Sequence, residues 1–503
     1  MTPTPPAQRD HTVSNSWSFS SELLEGYGMR SRARCVIARP RCAEEIAAVF
    51  ALARAEGRTV GLRGAGCSYG DAALNGDQIV LDTSQMNRVL AWDAVRGEII
   101  VEPGVTIAQL WQRTLSDGWW PAVVPGTMAV TVGGAAAANI HGKNNWRDGC
   151  FGDYIVAFDL MLPSGETITC SREHHRDLFH AAIGGFGLLG CFTALTLRLR
   201  HIHSGLVHVR QTAHESLAAL LDTVECSAEE ATMSDASAGE QTTHLVGWLD
   251  TAARGQRLGR GLVKLMRELA PGEDPHPQQT LDPSFQPPSS HIAGILPVEW
   301  VPALARPLAT PWGTRLANRA QWWRGHLPGS GRPHYERYVT ANFMLNFIPN
   351  FKRIYLPGGL IQHQTFAPAL VAPHIFHETL ERSQRAGIEP ALAVLKKHRS
   401  SSFLLNYLPD GYSLALDYAA HPSREGAVEA LLRDLNTFVA ESGGTFFLAK
   451  DSTLTPKQFA QSMPAEALRQ FQAIKARCDP GEQLQSDIYR RVIRPALLLA
   501  LAR

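Results

Sequence analysis

The chain has 503 residues, 45% hydrophobic and 19% charged, with 48 Lys and Arg against 47 Asp and Glu for a formal charge of +1. That length exceeds what one hydrophobic core organises and predicts two or three domains. The balanced charge removes the electrostatic basis for a nucleic-acid partner, and no apolar run approaches the ~20 residues that a membrane-crossing helix needs.

The first residues, MTPTPPAQRDHTVSNSW, are polar and Pro-rich, which predicts a disordered tail over residues 1–16 and no secretory signal. Residues 41–56 (RCAEEIAAVFALARAE) place apolar side chains at helical spacing and run into Gly57, the pattern of an amphipathic helix closed by glycine. A short strand at 59–62 leads into the Gly-rich loop Arg63-Gly64-Ala65-Gly66-Cys67-Ser68-Tyr69-Gly70-Asp71. Short strands are expected at 79–82 and 99–102, with turns at Asn75-Gly76 and Arg96-Gly97.

A helix at 107–115 precedes the stretch around which the rest of the chain is organised, residues 125–152 (PGTMAVTVGGAAAANIHGKNNWRDGCFG). It has no acidic residue before Asp148 and is dense in Gly and Ala. Such a run suits backbone pressed against a large anionic ligand, with unpaired N–H groups facing phosphate oxygens; a small-residue turn packed in a core is the other reading. A strand at 154–162 turns at Pro163-Ser164-Gly165-Glu166 into 167–170 as a hairpin. A third Gly-rich turn at 184–190 precedes a strand at 191–200.

From residue 204 the composition shifts to a second domain, with a helix opening at 215–225. Residues 274–290 are rich in Pro without periodicity and predict a mobile excursion. The aromatic, Pro-punctuated stretch 296–323 either caps an apolar pocket or packs on the surface. Strands at 359–368, 404–408 and 412–417 alternate with helices at 372–386 and 423–441, which predicts an α+β domain on one antiparallel sheet. Residues 446–452 (FFLAKDS), a helix at 464–478 and the tail RRVIRPALLLALAR close the chain. The tail reads as a terminal helix docked on the core, with a membrane-surface contact as the alternative. The eight cysteines, at 35, 42, 67, 150, 170, 191, 226 and 478, form no C-x-x-C pair and no zinc spacing. They predict reduced thiols, a cytoplasmic setting and no bound metal.

Gly64-Ala65-Gly66 lacks the third glycine of G-x-G-x-x-G, and no G-x-x-x-x-G-K-[ST] occurs, which argues against a Rossmann fold and a P-loop. Three separate Gly-rich loops suit a ligand long enough to need several cradles, as FAD does.

Arg63-Gly64-x-Gly66-x-Ser68-Tyr69-Gly70-Asp71, Glu102-Pro103-Gly104-Val105, Pro125-Gly126-Thr127, Thr131-Val132-Gly133-Gly134 and Ile140-His141-Gly142-Lys143-Asn144 resemble the FAD-binding half of the vanillyl-alcohol-oxidase type flavoproteins. The HGKN tetrad and Ala449-Lys450-Asp451-Ser452 are similar to the branch that oxidises decaprenylphosphoryl-ribose, and Asp479-Pro480, Ser486-Asp487 and Arg490-Arg491 also fit. The likeness covers residues 60–195 and 445–491 and is loose between them. It implies an α+β fold: a two-part FAD-binding domain of the PCMH type, residues 17–202 completed by 445–503, with an α+β substrate domain built on an antiparallel sheet inserted at 203–444.

The resemblance implies FAD contacts from Leu62, Arg63, Gly64, Ala65, Gly66, Cys67, Ser68, Tyr69, Gly70, Asp71 and Ala72 in a pyrophosphate loop. A second arm would supply Gly126, Thr127, Thr131, Val132, Gly133, Gly134, His141, Gly142, Lys143 and Asn144, with Phe192 and Phe447 completing the site. Cys67 stands where many relatives carry a histidine bonded to the flavin, and a thiol there implies non-covalent FAD. The implied reaction is oxidation of a secondary hydroxyl of a sugar, free or linked to polyprenyl phosphate, to a ketone, with hydride passing to flavin N5, in cell wall biosynthesis.

Catalysis would fall to Lys450, Tyr69 and His141. Burial beside Phe446 and Phe447 lowers the pKa of an ammonium such as that of Lys450, whereas an ion pair with Asp451 would make the lysine structural. Trp248, Gln364 and Lys396 match substrate-pocket positions, with Lys397 competing for the place of Lys396. Ser413-Leu414-Ala415-Leu416-Asp417 replaces the family's Asn-x-Cys-x-Asp strand, and Phe447 replaces a pocket tyrosine. The alternatives are an oxygen-using alditol or aldonolactone oxidase, a flavin-dependent reductase of a lipid double bond, and a flavoprotein scaffold without turnover. Implied partners are the sugar or lipid-linked sugar, a ketoreductase that takes up the product, and the inner face of the membrane as a peripheral contact.

Overall fold

The computed structural model describes residues 19–233, 241–287, 290–292 and 296–502; the tail expected at 1–16 falls outside them. Strands Ser20–Glu25 and Arg32–Ala38 pair antiparallel, and Arg32–Ala38, Ile79–Asp82 and Val60–Arg63 then lie side by side and parallel. The helix Ala43–Ala55 supplies the crossover between parallel strands that cannot be joined by a tight turn. It buries Ile46, Val49, Phe50 and Ala53 against that sheet, at helical spacing. Each large side chain so buried contributes about 1.5–3 kcal/mol.

A five-stranded antiparallel sheet follows, ordered Val89–Asp93, Glu98–Val101, Cys191–Arg198, Ile155–Met161 and Thr167–Ser171. The hairpin expected at 154–170 is its outer pair.

The C-terminal segment returns to the first sheet. Val60 N donates to Gln483 O at 2.8 Å and Gln485 N donates to Val60 O at 3.0 Å, so Leu484 enters the core around Ile46, Phe50 and Leu81. The turn is pinned by Lys475, which is fully buried and donates to Asp479 Oδ2 at 2.5 Å and Leu484 O at 2.8 Å. Arg491 donates to both carboxylate oxygens of Asp71, at 2.8 and 2.9 Å.

Between these parts stands an eight-stranded sheet, antiparallel throughout, in the order His334–Arg337, Leu206–His214, Gly261–Glu268, His244–Leu249, Leu392–His398, Gly411–Ala419, Leu360–Pro368 and Thr445–Phe446. Helices Leu217–Met233, Ala372–Arg385 and Glu425–Glu441 pack on one side of this unit. Its last strand, Thr445–Phe446, reaches into the stretch expected to return to the FAD domain.

Two expectations change. Residues 404–408 form no strand; Tyr407 and Leu408 are buried there, but the backbone turns instead of pairing. The described part of 274–290 is moored, not a loose excursion: Asp274 accepts from Ser204 and Thr280, and Gln286 Nε2 donates to Gly205 O at 2.9 Å and Thr280 O at 2.7 Å. Its buried polar side chains supply the anchoring that a count of prolines misses.

Candidate active site

A cavity of about 810 Å³ lies between the Gly-rich loops and one face of the eight-stranded sheet. Its sheet wall follows from the two-residue period of strands. Val209 and Gln211, Leu262 and Lys264, Val246 and Trp248, Val394 and Lys396, Ser413, Ala415 and Asp417, and Gln362 and Gln364 all line it. The same alternation separates the two neighbouring lysines. Lys396 lines the cavity, while Lys397 turns to the other face and donates to Glu225 of the helix Leu217–Met233 at 2.6 and 2.7 Å.

The opposite wall contains residues 62–69, Ala72, Gly126, Thr127, Thr131, Gly133, Gly134, His141, Lys143, Phe192 and Phe447. Two glycines in it are required by close approach. A Cβ on Gly64 would stand 2.1 Å from Thr131 Oγ1, where the two Gly-rich arms touch, and Gly66 has φ +66°, with the Arg63 guanidinium 2.1 Å from where its Cβ would be.

Among the described residues, the amides of Ala65, Gly66, Cys67 and Ser68 have no protein acceptor. Four successive free N–H groups around a left-handed glycine form a concavity suited to the pyrophosphate of FAD. The second arm differs from expectation. Val132 N donates to Val105 O at 2.7 Å, Gly133 N to Pro103 O at 2.8 Å and Gly134 N to Thr131 Oγ1 at 3.3 Å. Its amides therefore tie the arm to the preceding loop, and its small side chains supply room.

Gly70, Asp71, Val132, Gly142 and Asn144 do not line the cavity and act behind it. Gly70 lets the loop pass Asp451, whose carbonyl a Cβ would meet at 1.8 Å. Asp71 is held by Arg491, Val132 is core, and Asn144 Nδ2 donates to Ala122 O and Asp148 Oδ2, both at 2.8 Å, with Gly142 packed beneath it. Lys143 borders the cavity, but its Nζ donates to the carbonyls of Ala341 at 2.9 Å and Asn342 at 2.5 Å. It closes the end of the helix Tyr338–Asn342.

Lys450 reaches the cavity over the Tyr69 ring, with Nζ 3.6 Å from its centroid. It makes no ion pair with Asp451, which accepts from Arg491 at 2.8 Å and from the amides of Thr453 and Leu454 at 2.8 Å. Burial lowers Lys450 to about 7; Asp417 opposes that shift, and Lys396 adds to it. Burial also lowers Lys396 to about 8 and raises Asp417 to about 6. The Tyr69 hydroxyl is buried without a protein partner.

The tautomer of His141 follows from its neighbours. Tyr407 donates its single proton to Asn139 O at 2.9 Å, so at the 2.9 Å contact with His141 Nδ1 the imidazole is the donor. Nε2 is then a lone pair, receiving the Gln364 side-chain amide at 3.1 Å. Burial holds this imidazole neutral, far below its ordinary pKa. His398 repeats the arrangement: its Nδ1 meets the acceptor Asn145 Oδ1 at 2.9 Å and its Nε2 meets Ser413 Oγ at 2.7 Å. Tyr407 also stacks on Phe447 at 4.4 Å.

Tyr407, His398, Gln362 and Asp417 were not singled out as candidates from sequence. For Gln362 and Asp417 a signal existed: they stand two residues from Gln364 and Ala415 on strands whose alternate positions face one side. Cys67 lines the cavity with its thiol raised by burial, hence protonated.

Residues 35–171 match the family model described as an FAD binding domain. The chain is 28% identical over 458 residues to the decaprenylphosphoryl-beta-D-ribose oxidase of Mycolicibacterium smegmatis, covering 89% of this chain and 92% of that one. It is 29% identical over 160 residues to the L-gulonolactone oxidase of Bos taurus, 32% of this chain and 36% of that one. A D-lactate dehydrogenase of Anaerostipes hadrus is 31% identical over 170 residues, 33% of this chain and 36% of its own. Together with the free amide run and the cavity it borders, these likenesses support an FAD-dependent oxidoreductase, similar to the vanillyl-alcohol-oxidase type.

Proposed function

We propose that the chain oxidises a secondary hydroxyl of a sugar carried on polyprenyl phosphate to the ketone. The observation that carries this reading is Lys450: a cavity-lining amine brought to about 7, with no carboxylate at hydrogen-bond distance. Bound FAD supplies the acceptor for the hydride that leaves the alcohol carbon. The free amides of residues 65–68 would hold its pyrophosphate, and the bound cofactor would remain non-covalent, because the Cys67 thiol stays protonated.

Neutral Lys450 takes the hydroxyl proton, and the Tyr69 face beneath it and the Asp417 carboxylate favour the ammonium that results. His141, neutral and fixed by Tyr407, presents its Nε2 lone pair toward Gln364, which aligns the amide that faces the sugar. Lys396 has no anionic partner among the described residues and offers a buried positive charge to the phosphoryl group. The substrate class is supported by the likeness to the decaprenylphosphoryl-beta-D-ribose oxidase of Mycolicibacterium smegmatis.

The test is anaerobic mixing of the FAD-loaded protein with a short-chain polyprenylphosphoryl pentose. The expected result is loss of the ~450 nm flavin band with formation of the ketosugar. Flavin reduction by alditols or aldonolactones, and none by the lipid-linked sugar, would overturn the assignment.

A further inference from the structure

The helix Pro311–Gly325 is turned inside out. Its protein-facing side carries Thr314 and Asn318 beside Trp322, while Trp312, Leu316 and Trp323 stand on the other side, 82%, 65% and 61% exposed. These three fall on one stripe, at i, i+4 and i+11. The inner side is firmly attached: Asn318 Nδ2 donates to Thr251 Oγ1 at 3.1 Å, Thr314 Oγ1 donates to Leu308 O at 3.1 Å, and Arg260 lies over the Trp322 ring at 4.4 Å. The apolar stripe is therefore presented outward by polar anchoring. On neighbouring turns Trp300 and Leu304 are also exposed, by 63% and 61%.

Residues 301–335 contain five arginines, at 306, 315, 319, 324 and 332, and no Asp or Glu. Arg315 is engaged by Glu389 at 2.7 Å; Arg306 and Arg319 have no acidic partner among the described residues. Tryptophan, leucine and arginine on one exposed face, where Glu299 beside Trp300 is outnumbered by the arginines, match an anionic lipid surface: the rings seat at headgroup depth and the guanidiniums meet the phosphates. A soluble partner's apolar patch would satisfy the rings and leave the unpaired Arg306 and Arg319 unanswered. The same segment also borders the cavity through Gln321, Arg324, Leu327 and Pro328.

We propose that this face docks the enzyme on an anionic membrane with the cavity mouth at the lipid. Docking rests on the face alone; delivery of a lipid-linked sugar through that mouth rests on the function proposed above.

The test is co-sedimentation of the FAD-loaded full chain with vesicles of equal phosphatidylglycerol and phosphatidylcholine, beside pure phosphatidylcholine vesicles. The protein is expected to pellet with the anionic vesicles, less so at high salt. The Trp312→Ser/Trp323→Ser variant should lose at least roughly tenfold in partitioning, and Arg319→Glu should weaken the preference for anionic lipid. An unchanged flavin spectrum identifies folded variants, and Arg319→Glu keeps the test open if the double variant does not fold. Wild-type protein that stays in the supernatant overturns the proposal. So does equal partitioning of folded variants, or a dimer in light scattering that Trp312→Ser/Trp323→Ser dissociates. Vesicle binding uses no sugar, so it can succeed while the oxidation assay fails; turnover of a short-tailed substrate can likewise persist while docking fails.

Discussion

The Lys450 ammonium lies 3.6 Å from the centre of the Tyr69 ring, while the carboxylate next to it in sequence, Asp451, is held by Arg491. The lysine is thus balanced between burial, which favours the amine, and a ring face with a more distant carboxylate, which favour the ammonium. At a pKa of about 7 it is ready to exchange a proton near neutrality.

A base is active when unprotonated, so kcat/KM should rise with pH through about 7 and fall again above about 8, where Lys396 loses the charge offered to the phosphoryl group. Lys450→Ala should lower turnover by about 10²–10⁴-fold with the flavin spectrum retained. Steady-state rates across pH check both, and turnover unchanged in the variant would remove Lys450 from the reaction.

Asp417 and Lys396 act on that limb in opposite directions. Asp417 raises Lys450, so Asp417→Asn should move the limb to lower pH; Lys396 lowers it, so Lys396→Met should move the limb to higher pH. Profiles of kcat/KM for the two variants provide the measurement. Shifts of the same sign in both would mean that at least one of the two charges does not act on Lys450 as stated.

Tyr407→Phe deletes the acceptor that fixes the His141 tautomer, leaving a buried Nδ1–H and the Asn139 carbonyl without their partner. The expected cost is ~1–3 kcal/mol of stability, read as a lower denaturation midpoint of the FAD-loaded protein. The kcat should fall further than KM changes, because the Gln364 amide loses its fixed acceptor. A variant with wild-type midpoint and kcat would show that this chain of bonds positions nothing.

How much of this was legible beforehand differs between the two halves of the molecule. The helix at 41–56, the strand Ile79–Asp82 and the hairpin at 154–170 were readable because local periodicity and turn residues agree with the fold. The loop at Arg63 to Asp71 was readable because glycines there answer to close approach. In the inserted unit, Leu206–His214, His244–Leu249, Gly261–Glu268 and Leu392–His398 were not recognised as strands. Sequences such as GLVKLMRE and LAVLKKH bear apolar residues compatible with either period, and their antiparallel partners lie far along the chain. That is why Trp248, Gln364 and Lys396 could be singled out by resemblance while the register that puts them on one wall could not. Tyr407 and His398 escaped notice because their roles are set by hydrogen bonds to residues more than 250 positions away. The helix Pro311–Gly325 presents its apolar stripe outward, an orientation that periodicity alone does not report.

Retention of FAD should depend on Gly64 and be indifferent to Cys67. In the first case the argument is steric: a branched side chain at 64 would have to occupy the 2.1 Å between its Cβ and Thr131 Oγ1, forcing apart the two arms that border the cavity. Gly64→Val should therefore purify colourless or lose its flavin on gel filtration. In the second case the argument is electrostatic: burial raises the Cys67 thiol, so little thiolate is present to attack the flavin. Cys67→Ser should keep its yellow colour, and acid precipitation of the wild type should leave the flavin in the supernatant. Flavin pelleted with wild-type protein but not with Cys67→Ser would establish a thioether and overturn the non-covalent assignment, while a fully yellow Gly64→Val would show that the contact between the arms does not shape the cofactor site.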